Sequence, residues 1–283
     1  MKTLIQRVEP DANQSFACRV YETPQFETNW HKHPEYELIT ILKGHGTALI
    51  GDHVCDYKVN DVFFIAGNLP HWFRKHHPKM NCAVLVVHFT GDCWGEGLLQ
   101  MPEMKTIQAL LKKNNGILLQ KRLKKEMQQD MHALHTAKGF EKLLLLFQCL
   151  HKLSASQQYK ILAADFHDPA VSVNPAIEKI IDYSFKHFLE PITLEEIAAV
   201  ANMTIPTFCR FFRKNIKKTY FEFIRDLRIS HACKLLTTTS QPILEVCYES
   251  GYKSWAHFSK QFKEVKQQTP SQFRRQFMEG FAV

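Results

Sequence analysis

The chain has 283 residues, 45% hydrophobic and 23% charged, with 36 Lys and Arg against 28 Asp and Glu for a formal net charge of +8. Eleven Gly and twelve Pro are too few for a low-complexity or collagen-like chain, and the length suits two domains of ordinary size. Charges at Lys2, Arg7, Glu9 and Asp11 break up the first twenty residues, and the densest apolar run, Leu143 to Phe147, is far below the ~20 residues that span a bilayer, so neither a secretory leader nor a membrane span is expected.

In chain order, the stretches EYELITIL, GTALI, DVFFI and NCAVLVVHF are rich in Ile, Val, Phe and Leu and are separated by turn signals at Lys43–Gly46, Gly51–Asp52 and Gly67–Pro70. Short strands at even spacing predict a small antiparallel barrel or sandwich over residues 1–92. From Glu103 the apolar spacing turns helical, with Met104, Ile107, Leu110 and Leu111, then Leu123 to Met131, then Phe140 to Leu153. Residues 93–163 are therefore expected to be connecting helices, and the stretch around Leu143–Leu150 is expected to serve dimerisation in preference to internal packing. Residues 164–173 read as a linker. Asn174 and Pro175 then give a cap followed by Pro at the first helical position, and residues 174–283 read as helix throughout. The fold class expected is multidomain α+β. Eight Cys without a C-x-x-C pair read as reduced core thiols.

The charge is unevenly placed. Residues 174–283 hold 16 basic and 11 acidic residues, so +5 of the +8 sits in the last 110 residues, whereas 12 of the 15 His lie before them. A basic C-terminal half points to a polyanionic partner.

That half contains an internal repeat. TLEEIAAVANMTIPTFCRFFRKNIKKT aligns with PILEVCYESGYKSWAHFSKQFKEVKQQT, matching Ile197 with Val246, Ala198 with Cys247, Asn202 with Gly251, Phe208 with Phe258, Phe212 with Phe262, Arg213 with Lys263 and Thr219 with Thr269. Each unit, at about 193–215 and 242–265, reads as a short apolar helix, a turn at Asn202 or Gly251 where a left-handed residue is cheap, and a second helix with Thr204 or Ser254 as N-cap. This is helix-turn-helix order, in which the second helix enters the DNA major groove. With Ile205, Phe208, Phe211 and Phe212 as the buried stripe, Thr204, Pro206, Thr207, Cys209, Arg210 and Arg213 remain to face DNA. Arg210, Arg213, Lys214, Lys217 and Lys218 are five cations with no acid between Thr204 and Lys218. In the second unit Phe258 and Phe262 point inward, leaving Ser254, Trp255, Ala256, Ser259, Lys260 and Lys263. Arg210 and Lys260 are the expected base-edge contacts, and Ser, Thr and helix-end amides suit phosphates.

The first half carries HKHPEYELITILKG. On a strand His31, His33 and Glu37 share one face, and AGNLPHW brings His71 to the same cavity. Three imidazoles and a carboxylate suit a divalent transition metal, or serve as hydrogen-bonding walls for an organic effector, and the second of these is favoured. His45, His76, His77 and His88 read as surface or turn residues, and Trp72 with Phe73 as closing the barrel mouth.

Over Pro175–Gln276 the stretches TLEEIAAVANMT, FCRFFRK, FEFIRDLRISHACKLL, ILEVCYESGY, FSKQFKE and TPSQFR resemble the AraC/XylS family of bacterial transcription regulators. The resemblance implies two helix-turn-helix units joined by a long helix near Tyr220–Leu236, with recognition helices ~34 Å apart on one DNA face. The Gly usual after each recognition helix is Lys217 in one unit and Gln267 in the other. The spacing of His31, His33, Glu37 and Gly44 is similar to the first motif of the cupin barrel, and Gly67, Pro70 and His71 to part of the second. HPEYEL, GDH, GNLPH and the stretch Gly95–Met104 look like the sensor domain of one AraC-family subgroup. The resemblance implies a cytoplasmic bacterial regulator that binds promoter or operator double-stranded DNA, senses a small-molecule effector, forms a homodimer, contacts RNA polymerase as an activator would, touches no membrane and is not an enzyme. The rival reading is a metal-dependent cupin enzyme, a dioxygenase or isomerase, with His31, His33, Glu37 and His71 as ligands and a helical appendage.

Overall fold

A computed structural model describes residues 8–10, 12–23, 26, 30–77, 79–95, 97–113, 115–163 and 175–279. The chain divides into two units, Met1–Val173 and Asn174–Val283. The expected linker at 164–173 and the cap at Asn174 lie outside the described residues.

In the first unit, strands β1 (Ala17–Glu22), β2 (Tyr36–Lys43), β3 (Gly46–Ile50), β4 (His53–Tyr57), β5 (Val62–Ile65), β6 (His71–Lys75) and β7 (Ala83–Phe89) are followed by β8 (Gly116–Leu119) and β9 (Tyr159–Ala163). They form a six-stranded sheet of order β1-β7-β2-β5-β8-β9 and a three-stranded sheet of order β4-β3-β6. The larger sheet is buried on both faces, which explains why β2, β5 and β7 read as nearly unbroken apolar runs. On its inner face Ile39, Ile41, Phe63, Ile65, Val84 and Val86 meet Ala48, Ile50, Tyr57 and Phe73 of the smaller sheet. On its outer face Leu38, Val62, Phe64, Leu85 and Val87 meet residues of three helices, α1 (Lys105–Leu111), α2 (Lys121–Thr136) and α3 (Gly139–Ala155).

Two strands were not expected. β8 and β9 lie within 93–163, so that region is not helical connection alone, and the boundary at 92 cuts through one sheet. Gly116-Ile-Leu-Leu is too short for its own period to declare a strand, and its partners β5 and β9 are remote in sequence. One row of cross-strand partners runs from Glu37 to Ile65, to Gly116, to Ala163. Gly116 is required in that row because a Cβ there would stand 2.4 Å from Ile50 Cγ2. Helices α2 and α3 are joined at Asp130, which takes Lys152 Nζ at 2.6 Å and Gln148 Nε2 at 3.1 Å. Of the stretch 143–150, Leu146, Cys149 and Leu150 are core and Leu143 and Leu145 pack against it, so most of it is internal packing; Leu144 and Phe140 stay exposed.

The second unit is helical among its described residues: α4 (Pro175–His187), α5 (Leu194–Val200), α6 (Ile205–Ile216), α7 (Tyr220–Thr238), α8 (Ile243–Glu249), α9 (Trp255–Lys266) and α10 (Pro270–Glu279). Reciprocal capping boxes open α5 at Thr193 with Glu196 and α7 at Thr219 with Glu222. The repeat preserves the device at α10, where Thr269 Oγ1 accepts from Gln272 N–H and Gln272 Oε1 accepts from Thr269 N–H. Asn202 and Gly251 both have left-handed φ, at 53° and 80°. Lys217 and Gln267 close α6 and α9 in the same region, at 60° and 56°, so the turns usually given to Gly are made by long polar residues. No described helix is long and apolar enough to cross a membrane.

Candidate functional site

On α6 the inward positions are Phe208, Phe212 and Ile216, all essentially fully buried. Ile205 and Phe211 are only half-buried, so the stripe is narrower than the expected four residues because the second and third faces of a twelve-residue helix still border solvent. Thr204, Pro206, Thr207, Cys209, Arg210 and Arg213 are exposed, as are Ser254, Trp255, Ala256, Lys260 and Lys263 around α9; Ser259 is half-buried. Phe258 and Phe262 are buried on the opposite side of α9, and the Trp255 ring leans on Phe258 at 5.7 Å between centroids. Among the described residues no ion pair engages Arg210, Arg213, Lys214, Lys260 or Lys263. Lys218 is different: its Nζ lies 2.8 Å from Asp226 on α7, which removes it from the run of unopposed cations.

Thr204 and Ser254 stand at the N-cap positions of α6 and α9, but neither side chain caps its helix. Thr204 Oγ1 instead donates to Thr207 Oγ1 at 3.0 Å. The expected side-chain caps are thus absent at both recognition-helix positions, whereas the supporting helices α5 and α7 have them.

In the first unit the inner sheet face continues past its apolar residues into a polar cluster. Alternation along β2 puts Glu37 beside Ile39, and along β7 it puts His88 beside Val84 and Val86. Glu37 is 5% exposed and ringed by imidazoles: His33 Nε2 at 3.0 Å and His88 Nε2 at 2.6 Å from Oε1, and His71 Nε2 at 3.3 Å from Oε2. His31 is half-buried, its ring 4.3 Å from that of His71, and the two residues form a reciprocal backbone bridge. The cluster opens on a cavity of about 120 Å³ whose other walls include Tyr21, Phe26, Ile39, Phe73, Val84 and Val86. Phe73 is a wall, while Trp72 alternates to the other side of β6, where the Arg74 guanidinium lies 5.7 Å from its ring.

The structure therefore brings together His31, His33, Glu37 and His71 and adds His88, which the sequence reading treated as a surface or turn residue. Its period-two relation to Val84 and Val86 puts it on the cavity face once β7 is paired with β2, but a run buried on both faces carries no mark of that face in the sequence. His88 is 6% exposed, and its Nδ1 has no hydrogen-bond partner among the described residues.

Electrostatics tie the cluster into one system. Burial opposes a charge on His33, yet the Glu37 carboxylate, with hydrogen bonds that His33 donates to Glu35 and Glu37, lifts its pKa to about 10. Burial likewise opposes ionisation of Glu37, and His71, His88 and His33 overcome it, holding the carboxyl well below its ordinary range. His33 Nδ1 faces Glu35 O at 3.1 Å and His71 Nδ1 faces Leu69 O at 2.8 Å. A carbonyl only accepts, so both Nδ1 atoms carry hydrogen and both Nε2 atoms turn to Glu37. Two states satisfy that arrangement: imidazolium donors, or Nε2 lone pairs directed at a cation.

The donors fit a metal in spacing as well as kind. Ligands 2.0–2.2 Å from an ion stand about 3 Å from their neighbours, against 3.0 and 3.3 Å here from the Glu37 oxygens to His33 and His71 Nε2. His31, His33 and His71 offer atoms mutually within 4.8 Å, and so do His33, Glu37 and His88.

Comparison with known proteins agrees with both halves. A cupin domain family matches residues 20–88 and a helix-turn-helix domain family matches residues 197–276. An uncharacterised HTH-type transcriptional regulator of Bacillus subtilis (strain 168), YdeC, is 21% identical over 258 residues, covering 87% of this chain and 85% of its own. The lactose operon transcription activator of Staphylococcus xylosus is 29% identical over 134 residues, covering 47% of this chain and 48% of its own. Among solved structures, the C-terminal domain of AraT, a response regulator from Geobacillus stearothermophilus, is 28% identical, covering 37% of this chain and 87% of its own with a TM-score of 0.36. With a cupin domain ahead of an AraC-type helix-turn-helix domain that spans both repeated units, and with relatives named HTH-type transcriptional regulators, the chain is a DNA-binding transcriptional regulator similar to those of AraC type.

Proposed function

We propose that the chain is a ligand-responsive regulator: a small molecule binds in the cavity beside Glu37, and its binding changes how the second unit occupies an operator. The observation that carries the sensing half of this reading is the buried carboxylate ringed by three imidazole Nε2 atoms at the wall of a half-apolar cavity. Such a wall offers polar groups that fix orientation beside apolar surface that supplies affinity. On the DNA, Arg210 and Lys260 read base edges. Thr204, Pro206, Thr207, Cys209 and Arg213, with Ser254, Trp255, Ala256, Ser259 and Lys263, complete the two contact faces. Phe140 and Leu144, exposed on α3, form part of a homodimer seam. The protein acts in a bacterial cytoplasm, contacts RNA polymerase as an activator, and is not an enzyme.

The donor set favours a second reading of the same cavity, in which His31, His33, Glu37 and His71 hold a divalent transition metal. When bound, the metal supplies an open coordination position to which a polar effector attaches. His88 then donates to Glu37 from beside the site.

Selection of bound duplexes from a random pool tests the whole reading, run with and without small-molecule candidates. A shared bipartite sequence, a steep loss of affinity with salt, and a response to one compound class are expected. Recovery of unrelated sequences at every salt concentration would remove the DNA-reading function; metal analysis of the purified chain and of a His33→Ala variant separates the two cavity readings.

A further inference from the structure

The two helix-turn-helix units share α7, but a shared helix leaves the rotation of one unit about the other to be set by packing. The structure places a second junction between them. The segment connecting α4 to α5, just ahead of the first unit, turns its carbonyls toward Arg228 in the middle of α7. Arg228 Nε donates to Phe188 O at 2.6 Å and Nη2 donates to Glu190 O at 2.8 Å. The guanidinium carbon lies 5.8 Å from the centre of the Tyr252 ring, which belongs to the turn of the second unit. Beside Arg228, at Leu189 and Gly251, the connecting segment and the second turn touch directly: a Cβ on Gly251 would stand 2.7 Å from Leu189 O and 3.1 Å from Arg228 Nε. Tyr252 is itself buried, with its hydroxyl donating to Gln261 Oε1 on α9 at 2.8 Å, which ties the turn to the second recognition helix.

Arg228 is the unusual member of this junction. It forms no ion pair among the described residues; its planar fork is spent on two carbonyls and one aromatic face. A forked donor of fixed shape bonding two successive sites on a connecting segment is a geometric device, one that a point charge such as Lys does not reproduce. Gly251, left-handed at φ 80°, lets the second turn approach closely enough for Tyr252 to meet the guanidinium.

We propose that Arg228 is the positioning residue that fixes the rotational register of the two recognition helices, and thereby the spacing of DNA half-sites the protein accepts. It touches no DNA in this role. It holds the connecting segment at 188–190 and the second turn at 251–252 together at one guanidinium, so that α6 and α9 present their exposed faces as a rigid pair.

The test uses the full chain and a duplex selected from a random pool by the wild-type protein, together with derivatives carrying one extra base pair between the half-sites. One base pair shifts the second half-site by about 3.4 Å and rotates it by about 34°. The wild-type protein is expected to lose about tenfold in affinity for the longer duplex, one mismatched contact being worth that much. Arg228→Gln is expected to bind the parent duplex more weakly and to show a penalty of less than about threefold for the insertion. A melting curve checks that the variant is folded. An Arg228→Gln protein that keeps the full insertion penalty overturns the proposal, because a residue that only stabilises the fold changes affinity without changing spacing preference.

Arg228→Lys provides a milder second variant, read by spin labels on Cys209 in α6 and on an Ala256→Cys substitution in α9, with Cys55 and Cys93 replaced by Ser. The distance distribution is expected to be narrow with Arg228 and broadened with the variant; equal widths overturn the proposal.

Discussion

His88 Nε2 lies 2.6 Å from Glu37 Oε1, joining the middle of the larger sheet through side chains where its backbone is already paired, since Glu37 and His88 are also cross-strand partners. Removing either group leaves the other buried among charges without its balance. Glu37→Ala is expected to destabilise the first unit by about 3 kcal/mol, the cost typical of stripping one partner from a buried ionic group. His88→Ala is expected to cost less, about 1–2 kcal/mol, because His33 and His71 still face the carboxylate. Denaturant melts of the two variants check the order; equal costs would show that His88 carries Glu37 alone.

The pKa shifts give a pH dependence with a definite sign. His33 is raised from 6.5 to about 10, so its contribution is fully present below about pH 6.5 and is lost as pH climbs toward 10. Glu37 is depressed, so its contribution is present above its ordinary range and is lost only in strong acid. Stability of the first unit is therefore expected to decline between about pH 6.5 and 10. His33→Gln should flatten that decline in melts followed across the range, and an unchanged slope would remove His33 as its source.

Lys217 and Gln267 hold left-handed backbone that Gly adopts freely. Each non-Gly residue there costs roughly 1 kcal/mol. Lys217→Gly and Gln267→Gly are each expected to raise the melting point of the second unit, Gln267→Gly without touching DNA affinity at low salt. A lowered melting point in both would show that the long side chains contribute more than the backbone strain removes.

On the recognition helices, Arg210→Ala is expected to cost about 1–3 kcal/mol in operator binding and to relax sequence preference at one position. Lys263→Ala is expected to weaken all sequences alike and to reduce the salt slope by about one. Binding to operator variants at several salt concentrations separates the two behaviours.

Much of this was legible in the sequence because repetition and alternation are strong signals. The repeat located both turns, both buried Phe pairs and the outward cations, and the H-x-H-x-x-x-E spacing picked out residues that do come together, although only Glu37 lies on β2 and His31 and His33 precede it. Three things were not legible. His88 belongs to the cluster through β7, yet in a run as apolar as NCAVLVVHF a strand buried on both faces shows no alternation of polarity to mark which face a lone His takes. β8 and β9 depend on pairing with strands distant in the chain. Lys218 looked unopposed because its partner Asp226 lies a helical turn and a loop away. Side-chain caps at Thr204 and Ser254 failed for a related reason: residue type sets the position of a cap, while the hydrogen bond depends on a rotamer that neighbours such as Thr207 decide.

The row of partners from Glu37 through Ile65 and Gly116 to Ala163 has a mechanical meaning. Three interstrand steps, about 15 Å at the usual spacing of strands, separate the Glu37 strand from Ala163, the last described residue before the second unit. No loop interrupts the row, and packed interiors yield little to compression. Under the proposed function, a ligand that draws Glu37 sideways works on a stiff transverse bar that ends at Ala163.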